Sequence, residues 1–269
     1  MQHADWVLIT LIVLLFYWIV SNIRKARRGK PVYVRRIPGI DAIDNAIGRA
    51  TEMGRPAFYT IGEAGVQAME LYASLGILSY VADRTARMGV RLITTTDRAE
   101  TYPMIEETIR EAYRSAERLD EFRDEDVRFL SRDHTVYAML TAAMIEDEDA
   151  ASAFFLGLFW FTSLLMTEPG ARRGVIQIAG DTGPSQIPFF IASCDYVIIG
   201  EELFAASAYV SGDPTIKGSL VAQDRLKLVL LAVAIVGVVL LTVNAVLTLT
   251  TGTSIVEGNP FLELFMRYQ

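Results

Sequence analysis

Residues 228–256, LVLLAVAIVGVVLLTVNAVLTLTTGTSIV, contain no Asp, Glu, Lys or Arg. A helix needs about 20 mostly apolar residues to cross the hydrocarbon core of a bilayer. The stretch 226–250 supplies them, and a charge-free run of this length fits a membrane span better than a soluble core helix. Thr242 and Asn244 are its sharply polar interruptions, side chains able to bond to a neighbouring helix. A lipid bilayer is therefore the first partner the sequence implies.

A second apolar run, WVLITLIVLLFYWIV (6–20), opens the chain and reaches spanning length over 4–23. A cleaved leader needs positive charge before its apolar run and small residues after it. Here Asp5 precedes the run, while Arg24, Lys25, Arg27, Arg28, Lys30, Arg35 and Arg36 follow it. That order predicts an uncleaved anchor with its amino end outside, and Trp6, Tyr17 and Trp18 sit where interfacial aromatics belong. Lys217, Arg225 and Lys227 precede the second span, with Glu257 and Glu263 beyond it beside Arg267. Both termini are then expected outside, with the middle of the chain in the cytoplasm at the cell membrane. The basic segment 24–36 would also attract anionic lipid. Nucleic acid is excluded as a partner, because residues 37–256 carry 29 acidic against 17 basic side chains, and such a domain repels phosphate backbones. The single cysteine, Cys194, permits no internal disulfide and suits a reducing compartment.

Between the spans, β-rich runs alternate with helical patterns. After a capped amphipathic helix within 35–56, AFYTIG (57–62), RLITTT (91–96), VRFLS (127–131), VIQIAG (175–180) and DYVIIG (195–200) read as strands. Helices are expected over 64–88, 100–122, 134–145 and 150–166, then to about Ser193 and Tyr209. This alternation predicts an α/β fold, a Rossmann-like three-layer sandwich over 37–222 with a mostly parallel sheet of about five strands. One transmembrane helix flanks it on each side, with a short external tail at 251–269. The helix expected at 150–166, ASAFFLGLFWFTSLLM from 151, is apolar on every side. A third span there would put strands on opposite sides of the bilayer. The reading left is a buried helix or one covered by another copy, which makes Phe154, Phe155, Phe159, Trp160 and Phe161 the candidate oligomer or membrane contact.

Ligands of parallel α/β sheets sit at the carboxyl ends of the strands. Those ends nominate Glu63 and Gly65 in GEAG (62–65), Asp97, Asp133, His134, and then Asp181, Thr182, Ser185 and Gln186 in DTGPSQ, with Glu201 last. GEAG has two of the three glycines of a dinucleotide fingerprint and a carboxylate where phosphate would approach. Asp133, Asp181 and Glu201 with His134 could hold a hard cation if they converged. Asp133 and Asp181 could equally cap helices, and Glu201 could complement a helix dipole. His134 suits a general base, a cap or a plain hydrogen-bonded side chain. No nucleophile elbow, zinc helix or paired CxxC is present, so the sequence assigns no catalytic residue, metal or cofactor.

The segments RRIPGIDAIDNAIGRATEMGRP (35–56), VIQIAGDTGPSQIPFFIASCDYVIIGEELFAASAYVSGDP (175–214) and GSLVAQDRLKLVLLAV (218–233) resemble a family of prokaryotic membrane proteins catalogued as domain of unknown function 6754. The resemblance covers most of the chain and implies one domain holding IPGIDAID and QIAG…GEEL. It carries no activity. The functional expectation is a membrane-anchored, non-enzymatic binding or assembly module, a scaffold that forms a homo-oligomer and could recruit other membrane proteins. The alternative is a membrane-anchored enzyme or sensor binding a nucleotide, a metal or another small ligand at the strand ends.

Overall fold

The computed structural model of the protein describes residues 6–27, 38–211 and 214–251. Most of the basic segment, at 28–37, and the tail at 252–269 lie outside the described residues. The elements run α1 (Trp6–Arg27), α2 (Pro38–Met53), β1 (Ala57–Gly62), α3 (Met69–Met88), β2 (Leu92–Thr96), α4 (Tyr102–Ser115), β3 (Val127–Phe129) and α5 (His134–Asp147). They continue with β4 (Ser152–Leu158), α6 (Ser163–Arg172), β5 (Ile176–Asp181), α7 (Ile187–Ser193), β6 (Tyr196–Ile199), α8 (Glu202–Ser211) and α9 (Pro214–Thr251). Residues 31–217 form one compact unit, and 1–30 with 218–269 form another.

All six strands pair in parallel, in the order β3-β2-β1-β4-β5-β6. Helices cover both faces because each face of such a sheet is apolar. On one face Ile43 and Ile47 of α2, Ile77 and Leu78 of α3, Ile105 and Ile109 of α4, and Leu203 of α8 join a single core with Tyr59 and Phe154. On the other, Tyr137 and Ile145 of α5, Met166 of α6 and Phe190 of α7 close over Phe58, Phe155 and Ala179. The three-layer α/β sandwich is as the sequence predicts. The expected helix at 150–166 is not.

That segment holds the sixth strand. β4 lies between β1 and β5, with Phe155 paired to Thr60 on one side and Ala179 on the other. A central parallel strand is buried on both faces, so it reads as an unbroken apolar run rather than an alternating one. Phe154 and Phe155 have no exposed surface and Phe159 is 2% exposed. These three cannot form a contact with another copy or with lipid; Trp160 and Phe161 alone stay outside, each 60% exposed. Two glycines let β4 lie this close to β1. A Cβ on Gly157 would sit 2.0 Å from the Ile61 carbonyl oxygen, and one on Gly62, whose φ is +65°, 2.3 Å from that of Leu158.

In the other unit, Ala222–Val243 within α9 is, among the described residues, the stretch long and apolar enough to cross a membrane. α1 offers a shorter apolar stretch, Ile12–Arg24, so two flanking spans become one span candidate by length and composition. Arg225 Nη1 donates to Asn22 Oδ1 at 3.4 Å, and Ala222 beside it is buried.

Candidate functional site

Strand order reverses between β1 and β4, the place where crossovers leave in opposite directions and a crevice opens at the carboxyl edge. Glu63 stands directly after β1 at this point and is 1% exposed. Its carboxylate accepts the Trp160 amide N–H at 3.0 Å and the Thr162 hydroxyl at 2.6 Å. Asp181 at the end of β5 is buried as well, and its Oδ1 accepts the Gly183 N–H at 2.9 Å. The buried Glu63 carboxylate thus holds the segment that leaves β4. A pyrophosphate would need those amides and would meet a negative charge instead, so the turn after β1 is a clamp and not a phosphate cradle.

One strand over, Asp97 follows β2 and is 1% exposed. Its Oδ2 lies 3.2 Å from His134 Nδ1, and Glu63 Oε1 lies 3.9 Å from the same nitrogen. His134 is the first residue of α5 and its side chain is 34% exposed. Its ring meets Phe161 edge-on at 6.3 Å. Arg98 Nε donates to the Glu63 carbonyl at 3.2 Å and sits 3.8 Å from Asp97 Oδ1, and the guanidinium passes over Gly65. At this edge Asp97 Oδ1 and Asp181 Oδ2 are buried oxygens that make no hydrogen bond, and His134 Nδ1 has only the Asp97 Oδ2 contact, without hydrogen-bond geometry. Burial pushes the Asp97 carboxyl up to about 6, against the pull of Arg98 and His134 and with a further push from Glu63. Burial likewise raises Asp181 to about 6, opposed by the backbone N–H groups of Gly183, Phe159 and Thr182 and reinforced by Glu70.

The remaining nominated residues have local partners or open positions. Asp133 is exposed and caps α5 by accepting the Val136 N–H at 2.9 Å. Asp133→Ala is expected to cost about 1 kcal/mol of stability, read as a lower urea midpoint. Thr182 donates to Glu70 in the first turn of α3 at 2.6 Å. Gln186 is buried and accepts the Ser163 hydroxyl at 2.6 Å, while Ser185 and Glu201 occupy exposed turns. Among the described residues no group of three His, Cys, Asp or Glu side chains is placed to hold a metal ion, so Asp133, His134, Asp181 and Glu201 do not converge on one. Glu70, Arg98 and Thr162 complete the edge and were not nominated by the sequence. The legible signal for Thr162 was the Thr-Ser pair opening α6, hidden inside a segment read as helix.

Neither a curated protein nor a solved structure matches the chain. The family model described as "Domain of unknown function (DUF6754)" matches residues 1–252. With the model covering nearly the whole chain, the protein belongs to that family.

Proposed function

We propose that this is a membrane-anchored domain that binds a small molecule at the carboxyl edge of its sheet, over Asp97 and His134 and between the first turns of α5 and α6. One observation carries this reading: a fully buried carboxylate faces a half-buried imidazole across 3.2 Å, and its second oxygen, Asp97 Oδ1, is buried without a hydrogen bond. Buried polar atoms are nearly always satisfied, and exceptions concentrate at sites that bind or react. The Asp97 carboxylate stands 3.2 Å behind His134 Nδ1, and the imidazole, 34% exposed, stays open to a bound molecule. Ala222–Val243 supplies the anchor, and α1 serves as a second span, with both termini outside and the domain in the cytoplasm by the charge rule. The case for a self-assembling scaffold leaned on an all-round apolar helix at 150–166; with Phe154 and Phe155 inside the sheet, ligand binding is the better-supported reading.

The test is native mass spectrometry of the full chain in mild detergent. A stoichiometric small molecule is expected on the wild type and is expected to be lost from His134→Gln, whose melting temperature then equals that of wild type stripped of the molecule. A wild-type chain that carries nothing and shows no thermal shift with any of a panel of metabolites would sink the reading.

A further inference from the structure

The helical layer of α5, α6 and α7 turns an uncharged face to solvent. Residues 134–145, 150–167 and 182–194 contain no Asp, Glu, Lys or Arg, and they supply most of α5, the opening of α6 and all of α7. α6 packs against both α5 and α7, over the side of the sheet that carries Phe58 and Phe155. Inward residues of these helices fill that core, yet the outward ones are apolar too. Met139 on α5 is 60% exposed, Leu165 on α6 47% and Ile191 on α7 58%, with Trp160 and Phe161 beside them at 60% each. Between residues 136 and 191, nine large apolar side chains stand 38–60% exposed. At roughly 200 Å² for each whole side chain, they present on the order of 900 Å² of apolar surface. An ordinary monomer leaves a patch of only about 300–600 Å² in water. The other helical layer is different in kind: Glu106, Glu107 and Arg110 on α4 form ion pairs in water.

We propose that this face pairs with the same face of a second copy of the chain about a two-fold axis, an inference that stands apart from the small-molecule reading. A stable interface takes about 800 Å² from each partner, and the patch supplies that much. Charge points to the same partner. Residues 37–256 carry 29 acidic against 17 basic side chains, so two copies repel one another over most of their surfaces. The outward face of α5, α6 and α7 is where that repulsion is missing and where burial of apolar surface is gained. A two-fold pairing sets this face against itself, apolar on apolar, and needs no second sequence to complement it. Trp160 and Phe161 have the size of the aromatic anchors that carry most of the energy in such interfaces.

The experiment uses the full chain with Cys194→Ala, which removes its one cysteine, and a single new cysteine. Met139→Cys and Leu165→Cys place it on the face, and Glu107→Cys on α4 is the control; all three positions are exposed. Membranes of the producing cells are treated with a short bismaleimide, and the products are sized after denaturation. Pairing predicts a product of two chains from Met139→Cys and from Leu165→Cys, with Glu107→Cys left as single chains. Adding Leu140→Glu and Ile191→Glu to the Met139→Cys chain is expected to cut that product about tenfold or more, because an apolar interface cannot solvate the new carboxylates. Cross-linking at the face no stronger than at Glu107 overturns the pairing, whatever covers the helices instead. A two-chain product that survives the glutamates also overturns it, because the copies would then meet elsewhere. A product heavier than one chain but unequal to two assigns the face to a different protein and overturns it as well. The cysteine variants alone decide the first outcome, so the test stands even if the glutamate variant fails to fold.

Discussion

Phe155→Ala is expected to remove about 3–5 kcal/mol of stability, which is a large share of what a domain of this size holds. Phe155 has no exposed surface and sits in β4 with hydrogen-bonded neighbours on both sides. Its ring fills the core between the sheet and the α5, α6 and α7 layer. Truncation leaves a cavity that a central strand, fixed by two ladders, cannot collapse to fill. Phe161→Ala supplies the contrast. That side chain is 60% exposed, and its loss is expected to stay within about 0.5 kcal/mol. Urea unfolding of the detergent-solubilised chain, followed by near-ultraviolet circular dichroism, checks both. Equal, small effects at the two positions would mean that 152–158 is a surface segment and that the six-strand order is wrong.

The same segment shows where sequence patterning stops. β1, β2, β3, β5 and β6 are bounded by turn residues and fall where short β-rich runs predict them. β4 loses that signal because both of its faces are buried, so SAFFLGL has no polar beat and runs into Phe159, Trp160 and Phe161 without a break. The clues to its true end are Gly157, which only a close strand approach requires, and Thr162-Ser163 opening a new helix. The site was half legible for a related reason. Glu63, Asp97 and Asp181 are visible as strand-end carboxylates, and the cap role of Asp133 follows from its place before α5. That Asp97 faces His134, and that Glu63 faces Thr162, depends on strand order, which no local pattern encodes. Glu70 and Arg98 belong to the edge only because α3 and the turn after β2 approach the same crevice.

Asp97→Asn is expected to make the protein more stable at pH 8 and, on the proposed reading, to lose the small molecule bound at the sheet edge. Burial pushes the wild-type carboxyl up to about 6 in the fold, from about 3.8 for a free one, because it penalises the charge more than Arg98 and His134 relieve it. Between those values the folded chain binds more protons than the unfolded chain, so stability falls as pH rises. The contribution is fully present below about pH 4 and gone above about pH 6, a difference of order 2–3 kcal/mol. Asparagine keeps the shape without the charge, so the variant gains most of that difference at pH 8 and none below pH 4. Asp181 carries the same direction of shift from its own burial, and Asp181→Asn flattens the remaining pH dependence. Thermal melts from pH 3.5 to 8 read both effects. A buried carboxylate that weakens the fold at neutral pH suits the proposed binding role, in which a donor of the bound molecule would meet Asp97 Oδ1 and the charge would orient His134. Wild-type stability that stays flat from pH 4 to 6, or an Asp97→Asn chain that melts lower at pH 8 and still holds its small molecule, would show that the pair is ordinary packing.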